Sequence, residues 1–150
     1  MQKQKARSEG REVVFLDSSV IIAAILFPSG GSFRIIKESS FQNYTFTISH
    51  YILEECIKIL KKKFPEKVSI FSLFLQSFDF KIMEDLSEEE VENVLNIINF
   101  RDAPILAAAV GYKAQWLVTL DKDFLTQEVL KFGENHTLAI LTPKEFLGMR

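Results

Sequence analysis

The sequence predicts a single α/β domain, a three-layer α/β/α sandwich around a central, mainly parallel sheet. Three observations lead there. Short β-branched and aromatic runs alternate with longer segments of helical apolar spacing along the whole chain. The 150 residues suffice for one hydrophobic core but not for two domains of ordinary size. No repeat, low-complexity stretch or internal linker divides them.

Residues 1–11, MQKQKARSEGR, read as a disordered polar tail, leaving 12–150 as the domain. Val13 to Leu16 is a short apolar strand ending at Asp17, and Val20 to Leu26 reads as a buried helix closed by Pro28 and the Gly30-Gly31 pair. Ser32 is placed to cap a second helix to about Ser39, and Tyr44 to Ile48 alternates as a strand does. From Ser49, apolar residues at Ile52, Leu53, Cys56, Ile57, Ile59, Leu60 and Phe64 recur at helical spacing until Pro65 ends the pattern. Val68 to Phe78 predicts a further helix, Phe80 to Met83 a short strand, and Ser87 with Glu90 a capping box before a helix to about Ile98. Asp102 opens RDAPILAAAV, where Pro104 fits the first turn and small residues favour a tightly packed helix over 103–114. Trp116 to Leu120 predicts a buried strand, Asp123 a cap for a helix to about Phe132, Thr137 to Thr142 a last strand, and Pro143 the start of a short terminal helix.

Composition narrows the function. Cys56 is the only cysteine, which excludes an intrachain disulfide and a cysteine zinc cluster and suits a reducing cytoplasm. The longest apolar run, Val20 to Phe27, is far short of the roughly 20 residues of a membrane span. Asp17 interrupts any signal-peptide pattern after the basic start. The formal charge of −2 argues against coating nucleic acid by bulk electrostatics, although cations gathered at an acidic site can reverse the charge locally.

In a parallel sheet of this kind, ligands bind beyond the carboxyl ends of the strands, where the strand order reverses. Asp17 and Asp121 directly follow predicted strands, Asp102 starts a crossover helix, and Glu54 and Glu55 lie about two turns into another. Singly, each aspartate has an ordinary explanation as a cap or turn residue, and helical periodicity does not choose between the two glutamates. Together they are harder to explain, because neighbouring carboxylates repel by about 1 kcal/mol per pair at roughly 4 Å even in water. Oxygen-only donors of this kind suit Mg²⁺ or Mn²⁺, which can activate water and stabilise charge on a phosphoryl group.

Four segments, VVFLDSSVIIAAIL, ISHYILEECIKILKKKF, RDAPILAAAV and WLVTLDKDFL, resemble the four motifs of PIN-domain nucleases, in that family's order and over about residues 12–147. The resemblance implies a PIN-like, Rossmann-like fold and metal-dependent hydrolysis of RNA to leave a 5′-phosphate. It assigns catalytic roles to Asp17, Glu55, Asp102 and Asp121, with Asp17, Asp102, Asp121 and the additional Asp123 as metal ligands. Glu55 is preferred over Glu54 because the family's acid stands six residues after the serine that begins the helix, here Ser49. By the same resemblance Ser18 and Thr119 support the site by hydrogen bonding, and a homodimer is expected. Small members of the family include toxins restrained by an antitoxin protein as well as housekeeping nucleases, and the sequence leaves that choice open.

Two other classes compete. A PIN fold retained only to bind RNA or protein would not need the complete acidic set. A phosphatase of the receiver or haloacid type would use a nucleophilic aspartate with a lysine or threonine in a different arrangement. A paired-histidine mechanism has no positional support, since His50 sits at a helix start and His136 in a predicted turn.

Overall fold

The computed structural model describes residues 10–39 and 43–149, so residues 1–9 of the expected tail lie outside the described residues. Five strands, β1 (Glu12–Leu16), β2 (Tyr44–Ser49), β3 (Lys81–Met83), β4 (Trp116–Val118) and β5 (Ala139–Leu141), form one parallel sheet in the order β3-β2-β1-β4-β5. Register is fixed by pairs such as Phe15 with Thr47 and Leu16 with Val118. Val13, Val14, Phe15 and Leu16 are all fully buried. Successive strand residues face opposite sides, so both faces of β1 are covered by helices, as the α/β/α prediction requires.

Among the described residues the helices are α1 (Ser18–Leu26), α2 (Gly31–Ser39), α3 (His50–Lys63), α4 (Val68–Ser77), α5 (Glu88–Glu92), α6 (Ala103–Gly111), α7 (Gln127–Asn135) and α8 (Pro143–Gly148). Ser49 caps α3 as expected, its hydroxyl accepting from Ile52 N. Thr142 and Glu145 form a reciprocal capping box at α8. In α6 the buried Ala107, Ala108 and Ala109 let the helix backbone lie close to its neighbours.

Several boundaries differ from the sequence reading for identifiable reasons. Ser32 lies inside α2 and is buried, so it does not cap that helix. The helix predicted to reach Ile98 stops at Glu92, and three-residue turn bonds such as Val94 N to Val91 O and Ile97 N to Val94 O take over. Asn93, Asn96 and the β-branched Val94, Ile97 and Ile98 are poor helix formers there. Lys113 and Thr137 adopt left-handed backbone, which ends α6 before residue 114 and delays β5 to Ala139. Asp123 does not cap the last long helix: Asp121 caps a short 3₁₀ turn over Lys122–Phe124, and Thr126 caps α7, which runs on to Asn135. Strand β4 stops at Val118, and Leu120 is half exposed.

Starting from β1, the chain moves outward through β2 to β3 and then returns to lay β4 against the other side of β1. The order therefore reverses between β1 and β4. The residues that leave these two strands, Asp17 and Thr119, meet at that crevice.

Candidate active site

Asp17 leaves β1 in extended backbone and becomes the N-cap of α1, with Oδ1 accepting from Ser18 N at 2.8 Å. Its Oδ2 accepts from Ser19 Oγ at 2.7 Å and from Thr119 Oγ1 at 2.9 Å. The carboxylate is buried, and burial holds its pKa above the ordinary aspartate value. Hydrogen bonds from Ser19 and Thr119 work against that rise, while the charges of Glu55 and Asp121 add to it. The capping explanation of Asp17 is thus correct as far as it goes, but it does not account for a buried carboxylate with other carboxylates as neighbours.

Asp102 precedes α6, yet its side chain makes no capping bond to that helix. Its backbone N–H is satisfied by Asn99 Oδ1 at 3.0 Å, and Asn99 Nδ2 donates to Asp102 Oδ2 at 2.7 Å. The same amide nitrogen donates to Asp123 Oδ2 at 3.1 Å. Burial lifts the Asp102 pKa from 3.8 to about 6, opposed by the Asn99 hydrogen bond and reinforced by the charges of Asp121 and Asp17. Asp121 accepts from Asp123 N through Oδ1 at 2.9 Å, and its own N–H donates to Thr119 Oγ1 at 2.9 Å.

Glu55 comes from the middle of α3 and accepts a hydrogen bond from Ser18 Oγ. Glu54, one residue earlier, is exposed and does not line the cleft. Asp17, Ser18, Ser19, Glu55, Arg101, Asp102 and Asp121 all line one open cleft of about 420 Å³, whose other wall is apolar. Neither histidine lines it: the His136 ring packs on Phe132 and His50 is exposed. Cys56 is no nucleophile, since burial, helped by the charges of Glu55 and Asp17, pushes its thiol well above the ordinary range.

One carboxylate oxygen each from Asp102, Asp121 and Asp123 lies within 4.8 Å of the others. An all-oxygen donor set, graded from buried Asp102 to exposed Asp123, fits a hard divalent cation that keeps part of its water. Both Asp17 oxygens already accept from the protein, and Asp17 borders this group in the same cleft. All seven residues singled out in the sequence therefore gather at the carboxyl edge between β1 and β4. Sequence reasoning missed four others. Asn99 bridges two carboxylates, Ser19 ties Asp17 to Leu120 N, Arg101 lines the cleft, and Tyr51 donates to Arg101 O at 2.6 Å. The signal available for Asn99 and Arg101 was their place in NFRD, immediately before a carboxylate already under suspicion.

No curated protein sequence matches the chain. Solved structures share its fold at low identity. VapBC2 from Rickettsia felis, determined bound to a DNA fragment from its promoter, superposes with a TM-score of 0.65 at 21% identity, covering 87% of this chain and 98% of the other. PAE2754 from Pyrobaculum aerophilum gives 0.62 at 21% identity, over 95% and 97%. VapC20 from Mycobacterium tuberculosis, described as a toxin that cleaves the sarcin-ricin loop, gives 0.58 at 14% identity, over 75% and 92%. The PIN domain family profile matches residues 13–123, a span that holds every carboxylate of the cleft. The chain belongs to the PIN domain family.

Proposed function

We propose that the protein is a metal-dependent endoribonuclease that acts as the toxin of a toxin–antitoxin pair in the cytoplasm. The observation that carries this reading is the convergence of Asp17, Glu55, Asp102 and Asp121 in one cleft at the sheet's reversal point, with Asp123 completing a three-oxygen cluster. Burial, helped by neighbouring carboxylate charges, raises the pKa of Asp17 and Asp102, a cost that a bound cation turns into affinity. Asp102, Asp121 and Asp123, bordered by Asp17, would hold Mg²⁺ or Mn²⁺. Such an ion, when bound, supplies activation of water and neutralisation of charge on the phosphoryl oxygens.

The chain's own groups account for the rest. Arg101 at the cleft wall meets the phosphate, and Glu55, held by Ser18, orients the attacking water. Water adds to phosphorus, the P–O3′ bond breaks, and the products are a 5′-phosphate and a 3′-hydroxyl. Asp17 is fixed by three side-chain or backbone donors, so its oxygens are already placed before substrate arrives.

A toxin role is favoured by the likeness to VapC20, a toxin that cleaves the sarcin-ricin loop, and an antitoxin would restrain this chain as a separate partner. The test is cleavage of a mixed pool of structured and single-stranded RNAs with Mn²⁺ or Mg²⁺, with EDTA, and with Asp17→Asn and Asp102→Asn. Metal-dependent cleavage lost in both variants supports the assignment. Failure of folded, metal-loaded protein to cut any RNA moves the weight to a PIN fold that binds RNA or protein without cutting it.

A further inference from the structure

The cleft has two chemically different walls. One carries the carboxylates and Arg101; the other is formed by Ile22, Ala23, Leu26, Phe27 and Ile59. Phe27 is the unusual member, because its ring is 63% exposed and stands outside the core cluster. Other phenylalanines, such as Phe33, Phe74 and Phe78, pair with one another, whereas Phe27 makes no ring contact among the described residues. Its backbone is nevertheless held firmly. Phe27 N donates to Ala23 O at 2.8 Å, and Gly30 N donates to Phe27 O at 2.9 Å. A Cβ at Gly30 would stand only 3.2 Å from Phe27 O, so the turn that presents the ring is closed as tightly as a side chain would permit.

An exposed aromatic ring on a fixed turn, sharing a cleft with phosphate chemistry, has the properties of a stacking surface. Every nucleobase has a π-face, and stacking on an aromatic side chain strengthens single-strand binding by roughly 5- to 150-fold per base. Leu26 and Ile59 extend that face with apolar surface. We propose that Phe27 is a base-stacking platform, which receives the unstacked base adjoining the phosphate held at the carboxylates and so sets which nucleotide is presented for cleavage. The inference rests on the cleft being an RNA site, and its test separates the two. Phe27 acts on binding and position, not on the reacting atoms.

The experiment compares wild type, Phe27→Ala and Phe27→Tyr on short single-stranded RNAs, including a series with one abasic residue moved along the strand. Cleavage gives KM and kcat, and 2-aminopurine fluorescence in an Asp102→Asn background gives affinity without turnover. The expected result is a roughly 5- to 150-fold rise in KM and Kd for Phe27→Ala, with kcat changed by less than about twofold and Phe27→Tyr close to wild type. One abasic position should weaken wild type to the level of Phe27→Ala and leave that variant unaffected. Thermal melting should not move, because the ring is exposed. Wild type that cuts RNA while Phe27→Ala matches it on every strand overturns the platform and assigns the wall to a protein segment. Protein that cuts nothing but binds RNA in a Phe27-dependent way keeps the platform and removes the nuclease. Absence of any RNA binding overturns it as well.

Discussion

Thr119 Oγ1 donates to Asp17 Oδ2 at 2.9 Å, a bond that ties the end of β4 to the end of β1 across 102 residues of sequence. The same oxygen accepts the N–H of Asp121 at 2.9 Å. Thr119→Val keeps the shape but removes both interactions from a fully buried position. The expected cost is about 1–3 kcal/mol in metal-free protein, read from urea unfolding, with Thr119→Ser, which keeps the hydroxyl, retaining most of the wild-type stability. A valine variant as stable as wild type would show that this bond does not hold the crevice together.

The raised pKa of Asp102 makes a pH prediction with an unusual sign. Its folded-state value of about 6 lies above 3.8, so the native protein binds that proton more tightly than the unfolded chain. The group therefore favours the fold at low pH and loses that contribution as pH rises from 3.8 to about 6. In EDTA, Asp102→Asn should flatten this part of the stability profile and gain stability relative to wild type near neutral pH. Added Mn²⁺ should reverse the order near neutrality, stabilising wild type by about 2.7 kcal/mol at a hundredfold excess over Kd and the variant much less. Parallel pH profiles for the two proteins in EDTA would refute the assignment.

Asn99 contacts the carboxylates without being one of them, and its effect should be seen in metal affinity. Asn99→Ala removes the donor to Asp102 and Asp123 and the acceptor for the N–H groups of Arg101 and Asp102. Titration calorimetry is expected to show Mn²⁺ binding weakened roughly 10- to 100-fold, the usual effect of losing a group that orients ligands. Unchanged affinity would mean that Asp102 and Asp123 are positioned by the backbone alone.

Lysines on α3 should contribute to binding and its salt dependence. Lys58 and Lys62 follow Glu55 by about one and two helical turns, are exposed, and have no anionic partner among the described residues. If a strand leaves the cleft along this helix, each lysine that meets a phosphate adds about 0.7 to the slope of log K against log salt. Replacing both with alanine should weaken RNA binding and lower that slope by up to about 1.4. An unaltered slope would send the strand across another face.

Much of the fold was readable because its signals are local. The apolar run before Asp17, the Ser49 cap and the Pro104 start are each set by neighbours in sequence, and the structure has all three. The acidic residues were readable because strand ends and helix starts place them on one edge. Asn99 was not, since its role depends on Asp123 approaching from 24 residues away. The end of α5 was missed because a capping serine and an apolar pattern outweighed two asparagines in the reading but not in the chain. Asp121 and Asp123 both suit a cap, and only the direction in which β4 exits decided that Asp121 turns back on the local backbone.

The reversal of strand order also governs time. Asp17 and Glu55 leave the ribosome early, but Asp102 and Asp121 emerge only with the last third of the chain, and β4 must then pair beside β1 to bring them together. A half-made chain holds two of the acids and lacks the rest. The carboxylate cleft is therefore assembled only when the sheet is complete.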